Sequence, residues 1–384
     1  MCKNLKKIDN LTIYIYILQI IMNYEKVCDE VSNISDEVPE ENIYILGVSR
    51  FNNINGITCY MNSILHILQQ IPIFVKYIYD FEFEQILLEK NLEINECVIY
   101  ELHRLFKISF NHEDSTISPK TFKDLIGTKN NMWNEYNHQD SQEFFNFLIS
   151  QIKEEIGLKV KIIPNIKYNI PIADSIDNII ATKALSIYQS QEYSPLTDLF
   201  DGLYKNTCSC ACCKSININF EPFLTLAVDV YDDLYECLDN VCLEQQLDID
   251  NKYICDFCGL TNKAFKKTLL WKTPKILVIH IKRFGSGEQK ITSNVDYPIK
   301  DLDLSKYIDP KSPFKINCYY DLIGVNIHHS LGYNINAGHY TSIVKNRLNN
   351  SWFLYNDSKT PEIQYYKKDL QSNDAYLLFY YRHN

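Results

Sequence analysis

The chain has 384 residues, 46% of them hydrophobic and 22% charged, and this composition is that of an ordinary globular protein. Length alone allows one large core or two moderate ones. The 48 acidic and 38 basic residues give a formal net charge of -10, which argues against binding nucleic acid through a broad basic surface. A basic protein partner fits this charge better.

The N-terminal region contains an apolar run, "LTIYIYILQIIM", at residues 11 to 22. Its roughly 12 residues fall short of the about 20 that span a bilayer, so no membrane contact is expected. A signal-peptide core is the alternative interpretation, because lysines precede the run, but no small-residue cleavage site follows it. Residues 25 to 42 are acidic and predict a solvated linker. We therefore expect residues 1 to 42 to be poorly ordered and the folded domain to start near residue 43.

The first half of the chain carries helical periodicity. The spacing of the apolar residues in "CYMNSILHIL" predicts a helix over residues 59 to 70, and "SQEFFNFLISQI" predicts another over residues 141 to 152. A further helix is expected around residues 178 to 188. The rest of residues 160 to 195 has mixed patterning and gives no assignment.

After about residue 200 the chain becomes rich in β-branched and aromatic residues. Short runs bounded by Gly, Asn, Asp and Pro predict strands in "FEPFLTLAVDV", "PKILVIHIKRF", "YYDLIGVNIHH", "HYTSIVKN", "SWFLYND" and "AYLLFYYR". Helices followed by strands indicate an α+β fold rather than a wound βαβ sheet.

Cys59 follows Gly56 and Thr58 at the start of the first predicted helix. Thr58 is a favoured N-cap residue, Gly56 permits the turn, and the amides of a helix N-terminus can lower a thiol pKa. Local sequence therefore allows Cys59 to be a reactive thiolate. It also allows a small buried packing residue, which is the commoner role for a cysteine in such a position.

His339 is the histidine best suited to act as a base for such a thiol. It follows a glycine at the start of a predicted strand in "NAGHYTSIV", whereas His66 lies two turns along the helix of Cys59 and cannot swing back. Asn356 and Asp357 end the strand "WFLYND", where an amide or a carboxylate can orient an imidazole.

The thirteen cysteines include two clusters, at residues 208 to 213 and 255 to 258, with metal-ligand spacing rather than the pattern of a secreted disulfide framework. A reducing compartment, the cytoplasm or nucleus, is expected. Cys255 and Cys258, followed by Gly259, form a strong half of a zinc site. Only Cys210 and Cys213 offer the same spacing in "TCSCACCKS". A redox pair and unliganded cysteines remain the alternatives.

Four blocks in this order, "GITCYMNSILHIL", "YNHQDSQEFFNFL", the paired C-x-x-C region, and "NAGHYTSIV" leading to "WFLYND", resemble the signature motifs of the ubiquitin-specific protease family of deubiquitinases. The resemblance covers about residues 48 to 384. It implies a papain-like cysteine protease fold with a helical thumb (about residues 43 to 199), zinc-braced β fingers (about 200 to 272) and a β-rich palm (about 273 to 384).

By this resemblance Cys59 is the nucleophile, His339 the base and Asn356 the residue that orients it, a role that Asp357 can share. The implied reaction is hydrolysis of the peptide or isopeptide bond after the C-terminal glycine of ubiquitin. The implied partners are ubiquitin and ubiquitinated proteins, acted on by a monomer. The resemblance also selects Cys210, Cys213, Cys255 and Cys258 as ligands of one structural zinc ion, with no organic cofactor.

One position departs from the family pattern. The family commonly has an asparagine five residues before the nucleophile, where its amide stabilises the oxyanion, and this chain has Ile54 there. A shifted turn can present Asn53 or Asn55 instead. The alternatives are therefore a catalytically weak ubiquitin-binding scaffold and, separately, a protease for a ubiquitin-like modifier.

The block "HQDSQEFF" resembles the family motif that lines the cleft for the ubiquitin tail. It implies tail-binding roles for Gln139, Asp140 and Glu143, because the arginines of that tail pair with carboxylates. Charge complementing a helix N-terminus is the alternative for the two acids. Residues 328 to 338, including His328 and His329, are expected to form a mobile lid, and residues 284 to 294 a second loop.

Overall fold

The computed structural model describes residues 49–80, 83–112, 115–135, 137–158, 176–191, 193–247, 254–259, 263–284, 290–315, 317–330, 338–364 and 366–383. All of them belong to one compact unit, Tyr44–His383. The second unit, Met1–Ile43 with Asn384, lies outside the described residues, and so do the apolar run and the acidic linker. The expectations for those segments stay predictions.

The helices lie mainly in the first half of the chain. They are α1 (Cys59–Leu68), α2 (Pro72–Asp80), α3 (Phe83–Glu89), α4 (Val98–Asn111), α5 (Lys120–Lys129), α6 (Ser141–Ile156), α7 (Ile176–Gln191), α8 (Pro195–Phe200) and, among the later strands, α9 (Leu234–Cys242). The three predicted helices are confirmed as α1, α6 and α7, with α1 ending two residues earlier and α6 and α7 running further than expected. No helix in the described ranges is both long and apolar enough to cross a membrane.

The strands form three sheets. They are β1 (Arg50–Phe51), β2 (Thr116–Ile117), β3 (Gly202–Cys210), β4 (Ile216–Phe223), β5 (Leu226–Val228), β6 (Gln245–Leu247), β7 (Ala264–Lys272), β8 (Ile276–Ile281), β9 (Leu302–Asp303), β10 (Tyr319–Ser330), β11 (Gly338–Lys345), β12 (Trp352–Tyr355), β13 (Glu362–Gln364) and β14 (Ala375–Arg382). The largest sheet has the order β13-β12-β11-β10-β14-β8-β5, with β9 paired to β10. Its pairs are antiparallel except β5 with β8.

A second sheet of four strands, in the order β4-β3-β7-β6, forms a separate ribbon. Here β3 pairs with both β4 and β7, in each case antiparallel. The first cysteine cluster begins inside β3, which ends at Cys210, and the second cluster precedes β7. Its central strands β3 and β7 are missing from the strands that the sequence predicts. Their runs, "GLYKNTCSC" and "AFKKTLLWK", contain many polar residues because much of the ribbon is only half-buried.

Helix α1 packs directly against the large sheet, on β10 and β11. All ten of its side chains are buried, so the helix is enclosed on every side. Gly324 allows the close approach, because a Cβ at that position would come within 2.9 Å of Ile67 Cγ2. The α+β prediction is confirmed, and this contact brings the helix of Cys59 onto the strand of His339.

Candidate active site

Cys59 is the first residue of α1, as the sequence predicts. A tight turn precedes the helix, with Asn55 at φ 52° and Gly56 at φ 74°. Thr58 occupies the N-cap position, but its hydroxyl makes no cap hydrogen bond. It accepts from the Ile54 amide at 2.8 Å instead, so its role is to hold the preceding turn rather than to cap the helix.

Burial dominates the chemistry of the Cys59 thiol. It raises the thiol pKa to about 11, and the charge of Asp357 acts in the same direction. The backbone N–H groups of Tyr340 and Tyr60 donate to the sulfur and lower the pKa in part. A helix N-terminus alone therefore does not make Cys59 a thiolate in the free protein, because the cost of desolvating the charge is larger. Catalysis needs a base that removes the thiol proton.

His339 lies in β11 immediately before Tyr340, whose amide contacts the Cys59 sulfur. Its Nε2 lies 2.8 Å from Asn356 Oδ1, and its side chain is 32% exposed, so the ring is reachable from solvent. Since an amide oxygen only accepts, Nε2 carries the proton and donates it. The other ring nitrogen, Nδ1, is then unprotonated and able to accept a proton from a thiol.

Asp357 follows Asn356 in the chain and bonds to the turn that precedes Cys59. Its carboxylate accepts from Asn53 Nδ2 at 2.9 Å and from Asn62 Nδ2 at 2.8 Å, and it lies 3.7 Å from His339 Nε2. Burial raises the pKa of Asp357, while the two amides and His339 lower it in part. Sequence reasoning missed Asn62, although its position three residues after Cys59, near the start of the same helix, was a usable signal.

Of the two asparagines predicted for the oxyanion, Asn53 already has partners for its side chain. Asn53 donates to Asp357, and its Oδ1 accepts from the Thr58 amide at 2.7 Å. Asn55 is exposed in the left-handed turn. The side chain of Ile54 has no donor at all. The predicted oxyanion role of the two asparagines stays a prediction, and the structure assigns Asn53 a clear role in holding the turn.

The three residues predicted to bind the ubiquitin tail lie together at the start of α6. Asp140 is the N-cap: its Oδ1 accepts from the amides of Gln142 at 2.6 Å and Glu143 at 3.1 Å. Its Oδ2 accepts from Tyr376 Oη at 2.5 Å, so both carboxylate oxygens already have partners. Gln139 Nε2 donates to the Met132 carbonyl at 3.0 Å. Glu143 is exposed, and burial of part of its carboxyl group and the nearby Asp140 charge raise its pKa.

Three other histidines, His66, His328 and His329, lie in the core or in a strand. His66 is fully buried between the rings of Phe51 and Tyr355, and burial lowers its pKa to about 3. The expectation that His328 and His329 belong to a loop is wrong, because both lie in β10. The strand predicted in "YYDLIGVNIHH" already included both residues, and it is confirmed, because pairing with β11 continues to Ser330. Residues 331 to 337 of the expected lid and 285 to 289 of the second loop lie outside the described residues.

Four cysteines gather at the end of the β3-β4-β7 ribbon. Cys210, Cys213, Cys255 and Cys258 place their sulfur atoms within 4.8 Å of one another, a group that can hold a metal ion. The other two cysteines of the first cluster do not belong to this group. Ser215 Oγ lies 3.0 Å from Cys213 Sγ and 3.2 Å from Cys255 Sγ. Hydrogen bonding to the side chain and backbone of Ser215 lowers the pKa of Cys213. The Ser215 side chain and the backbone N–H groups of Cys258 and Phe257 lower the pKa of Cys255 to about 6. The single Ser215 O–H donates to one sulfur at a time.

Comparisons with known proteins agree with this arrangement. The sequence pattern described as ubiquitin carboxyl-terminal hydrolase matches residues 50–380. Ubiquitin carboxyl-terminal hydrolase 2 of Gallus gallus is 31% identical over 280 residues, 70% of this chain and 74% of that protein. Ubiquitin carboxyl-terminal hydrolase Usp2 of Drosophila melanogaster is 29% identical over 344 residues, 88% of this chain but only 35% of that protein.

A solved structure, the SAGA DUB module Ubp8/Sgf11/Sus1/Sgf73 bound to monoubiquitin, is similar with a TM-score of 0.67 and 25% identity. The match covers 95% of this chain and 76% of that one. Cys59 is buried at a helix start, and His339 precedes the residue whose amide contacts the Cys59 sulfur. An amide oxygen lies on Nε2 of His339, as in hydrolases that use a cysteine nucleophile. The chain belongs to the ubiquitin carboxyl-terminal hydrolase family, and its resemblance to ubiquitin-specific proteases is confirmed.

Proposed function

We propose that this chain is a cysteine-type deubiquitinase that hydrolyses the peptide or isopeptide bond after the C-terminal glycine of ubiquitin. The observation that carries the proposal is the hydrogen bond from His339 Nε2 to Asn356 at 2.8 Å, on the strand whose next amide contacts the Cys59 sulfur. It leaves Nδ1 of His339 free to act on Cys59. The family match over residues 50–380 supports the same reaction.

In the proposed mechanism His339 Nδ1 takes the proton from Cys59 as the sulfur attacks the carbonyl carbon of the terminal glycine. The tetrahedral intermediate collapses, its bond to the lysine nitrogen breaks, and the imidazolium gives its proton to the departing amine. Water, deprotonated by His339, then attacks the thioester and releases ubiquitin with a free carboxylate. Cys59 regains its proton from the imidazolium.

In a Ser-His-Asp triad one carboxylate both orients the histidine and supplies negative charge, whereas here Asn356 and Asp357 each supply one of these functions. Asn356 is neutral, so it fixes the orientation and tautomer of His339 without neutralising the imidazolium. Asp357 supplies the negative charge, 3.7 Å from Nε2. Because the same carboxylate binds Asn53 and Asn62, it also holds the turn that precedes Cys59.

The proposed contacts with the ubiquitin tail follow from the start of α6. Glu143 is exposed and suited to pair with a guanidinium group. Asp140 shapes the site as the helix cap that Tyr376 holds, rather than as a free carboxylate. Gln139, bonded to the Met132 carbonyl, keeps its own oxygen for a backbone amide of the tail.

We also propose that the four-cysteine group binds one structural zinc ion. A tetrahedral site with Zn–S bonds of about 2.3 Å requires sulfur atoms about 3.8 Å apart. The Cys213–Cys255 and Cys210–Cys258 distances are 3.6 Å and 4.0 Å, which fit this requirement. All four positions would be filled by thiolates, so the ion would tie the two turns of the ribbon together and take no part in hydrolysis.

The proposed partners are ubiquitin and ubiquitinated proteins, met by a monomer, with no nucleic acid, membrane or organic cofactor. The eleven cysteines in the described ranges form no disulfide, which supports a reducing compartment such as the cytoplasm or nucleus. Gel filtration with light scattering tests the monomer, and imaging of the tagged chain tests the location.

The decisive experiment is labelling with ubiquitin that carries a C-terminal electrophile, followed by mass spectrometry. We expect one adduct on the wild-type protein, at Cys59, and none on Cys59→Ala. A wild-type protein that binds ubiquitin without forming the adduct would instead support the scaffold alternative that Ile54 motivates. Parallel cleavage of ubiquitin and ubiquitin-like fluorogenic substrates separates a deubiquitinase from a protease of another modifier.

A further inference from the structure

Asn326 is a polar residue at the centre of β10 with no exposed surface. Its chain neighbours, Val325 and Ile327, are buried and apolar. Its side chain bridges two helices: Nδ2 donates to Ser63 Oγ at 2.8 Å, and Oδ1 accepts from Ser141 Oγ at 2.8 Å. The two serines are 2% and 0% exposed, so the whole group is shielded from water.

The helices joined in this way carry the two halves of the proposed site. Ser63 lies four residues after Cys59 in α1, about one turn along the helix. Ser141 is the first residue of α6, directly after the cap residue Asp140. Asn326 therefore connects the helix of the nucleophile to the helix that begins the tail-binding motif, through a strand of the sheet.

Tyr340 of β11 links Ser141 back to Cys59. The backbone N–H of Ser141 donates to the Tyr340 hydroxyl. The backbone N–H of Tyr340 in turn donates to the Cys59 sulfur. The path from Cys59 through Tyr340, Ser141, Asn326 and Ser63 thus returns to the helix of Cys59, and we call these five residues the polar ring.

Stability alone is a weak reason for such a group. A buried amide or hydroxyl is costly to the fold when it loses its hydrogen-bond partner, and its satisfied bonds add only modestly to stability. Apolar residues of matching shape would serve the core about as well. A buried polar group does, however, permit only one relative position of the elements it joins, because any displacement breaks its hydrogen bonds.

We propose that Asn326 is a positioning residue that fixes α1 and α6 against the sheet, and so holds Cys59 in register with His339 and with the bound tail. This inference rests on the proposed function. It adds a residue that touches neither substrate nor the reacting atoms. A misplacement of about 1 Å at a reacting group costs up to about a hundredfold in rate, so small movements of α1 are enough.

The test compares Asn326→Leu, Ser63→Ala and Ser141→Ala with Ser342→Ala. Ser342 is the matched control: it is fully buried on β11 directly across from Asn326, and its hydroxyl has no hydrogen-bond partner among the described residues. We expect kcat on a ubiquitin substrate to fall about tenfold to a hundredfold in Asn326→Leu and less in the two serine variants, with KM nearly unchanged. Ser342→Ala should match the wild type.

Rates are measured well below the unfolding temperature of each variant and scaled to the folded fraction, so lost stability alone does not move kcat. In the Asn326→Leu background, adding Ser63→Ala should have no further effect on kcat, because that bond is already gone. If Asn326→Leu does not fold, the serine variants carry the test. Unchanged kcat in the folded ring variants, or an equal fall in Ser342→Ala, would overturn the proposal.

A second readout separates this inference from the proposed function. Alkylation of Cys59 by iodoacetamide needs no ubiquitin, and the Tyr340 amide that the ring holds in place favours the thiolate. We expect slower alkylation at pH 9 in Asn326→Leu than in the wild type. If the wild type does not react with the ubiquitin electrophile, the proposed function fails, yet the alkylation rates still test the ring; equal rates would refute it.

Discussion

The protonation state of Cys59 gives the sharpest quantitative prediction. Burial raises the thiol pKa to about 11. At pH 7 this leaves about one thiolate per 10⁴ molecules, whereas an ordinary cysteine has a few per cent. We therefore expect the free protein to hold a neutral thiol, which His339 deprotonates only as the substrate is attacked.

The perturbation is a rise in pH, and the assay is the alkylation rate of Cys59 by iodoacetamide in the free protein. Residues 51 to 76, the tryptic peptide between Arg50 and Lys76, contain Cys59 as their only cysteine, so mass spectrometry reads this site alone. Since only the thiolate reacts, the rate should climb about tenfold per pH unit from pH 7 to pH 10. Glutathione alkylated in parallel corrects for the reagent.

Asp357→Asn provides a matched variant. The charge of Asp357 raises the Cys59 pKa, so removing it should shift the alkylation curve to lower pH. A wild-type curve that levels off with a midpoint below pH 8 would refute the reasoning, because it would require a preformed thiolate in spite of the burial. An unshifted curve in Asp357→Asn would refute the electrostatic part alone.

Three further predictions follow from other contacts. Asn356→Ala frees His339 Nε2 and should lower kcat by about one to three orders of magnitude in steady-state assays, whereas Asn356→Asp, which still accepts that bond, should keep most activity. Glu155 accepts from the first two amides of α4, at 2.8 Å and 2.9 Å, so Glu155→Ala should lower the free energy of unfolding by about 1–3 kcal/mol in urea titrations, and Glu155→Gln by less. Elemental analysis should find one zinc per chain in the wild type and in Cys212→Ser, but much less in Cys258→Ser, which should also unfold at a lower temperature; equal zinc content in the two serine variants would contradict the assigned ligands.

Local sequence was sufficient for the elements that carry the site. The 3.6-residue spacing of apolar side chains predicts α1 and α6 because residues at this spacing share one face of a helix, although α1 proves to be buried on all faces. The apolar alternation predicts β10, β11 and β12 because alternate residues share one face of a strand. Strands β3 and β7 of the ribbon were not predicted, because many of their side chains are only half-buried and their sequences show no clear apolar alternation.

The pairing of functional residues needed either the family resemblance or the folded chain. Cys59 and His339 lie 280 residues apart (339 minus 59), and no local pattern joins them. Likewise Asn53 meets Asp357 across 304 positions, and Asn326 meets Ser63 across 263. Contacts of this kind depend on how helices pack on a sheet, which periodicity does not encode.

The sequence by itself determined the residue types, the two C-x-x-C spacings, and the helix start at Cys59. Only the tertiary structure decided the state of those groups. Burial makes Cys59 a weak acid, and a tyrosine from β14 occupies the second oxygen of Asp140. A side chain's charge and free hydrogen-bonding capacity depend on what surrounds it in space, and at this site those surroundings come from segments hundreds of residues away.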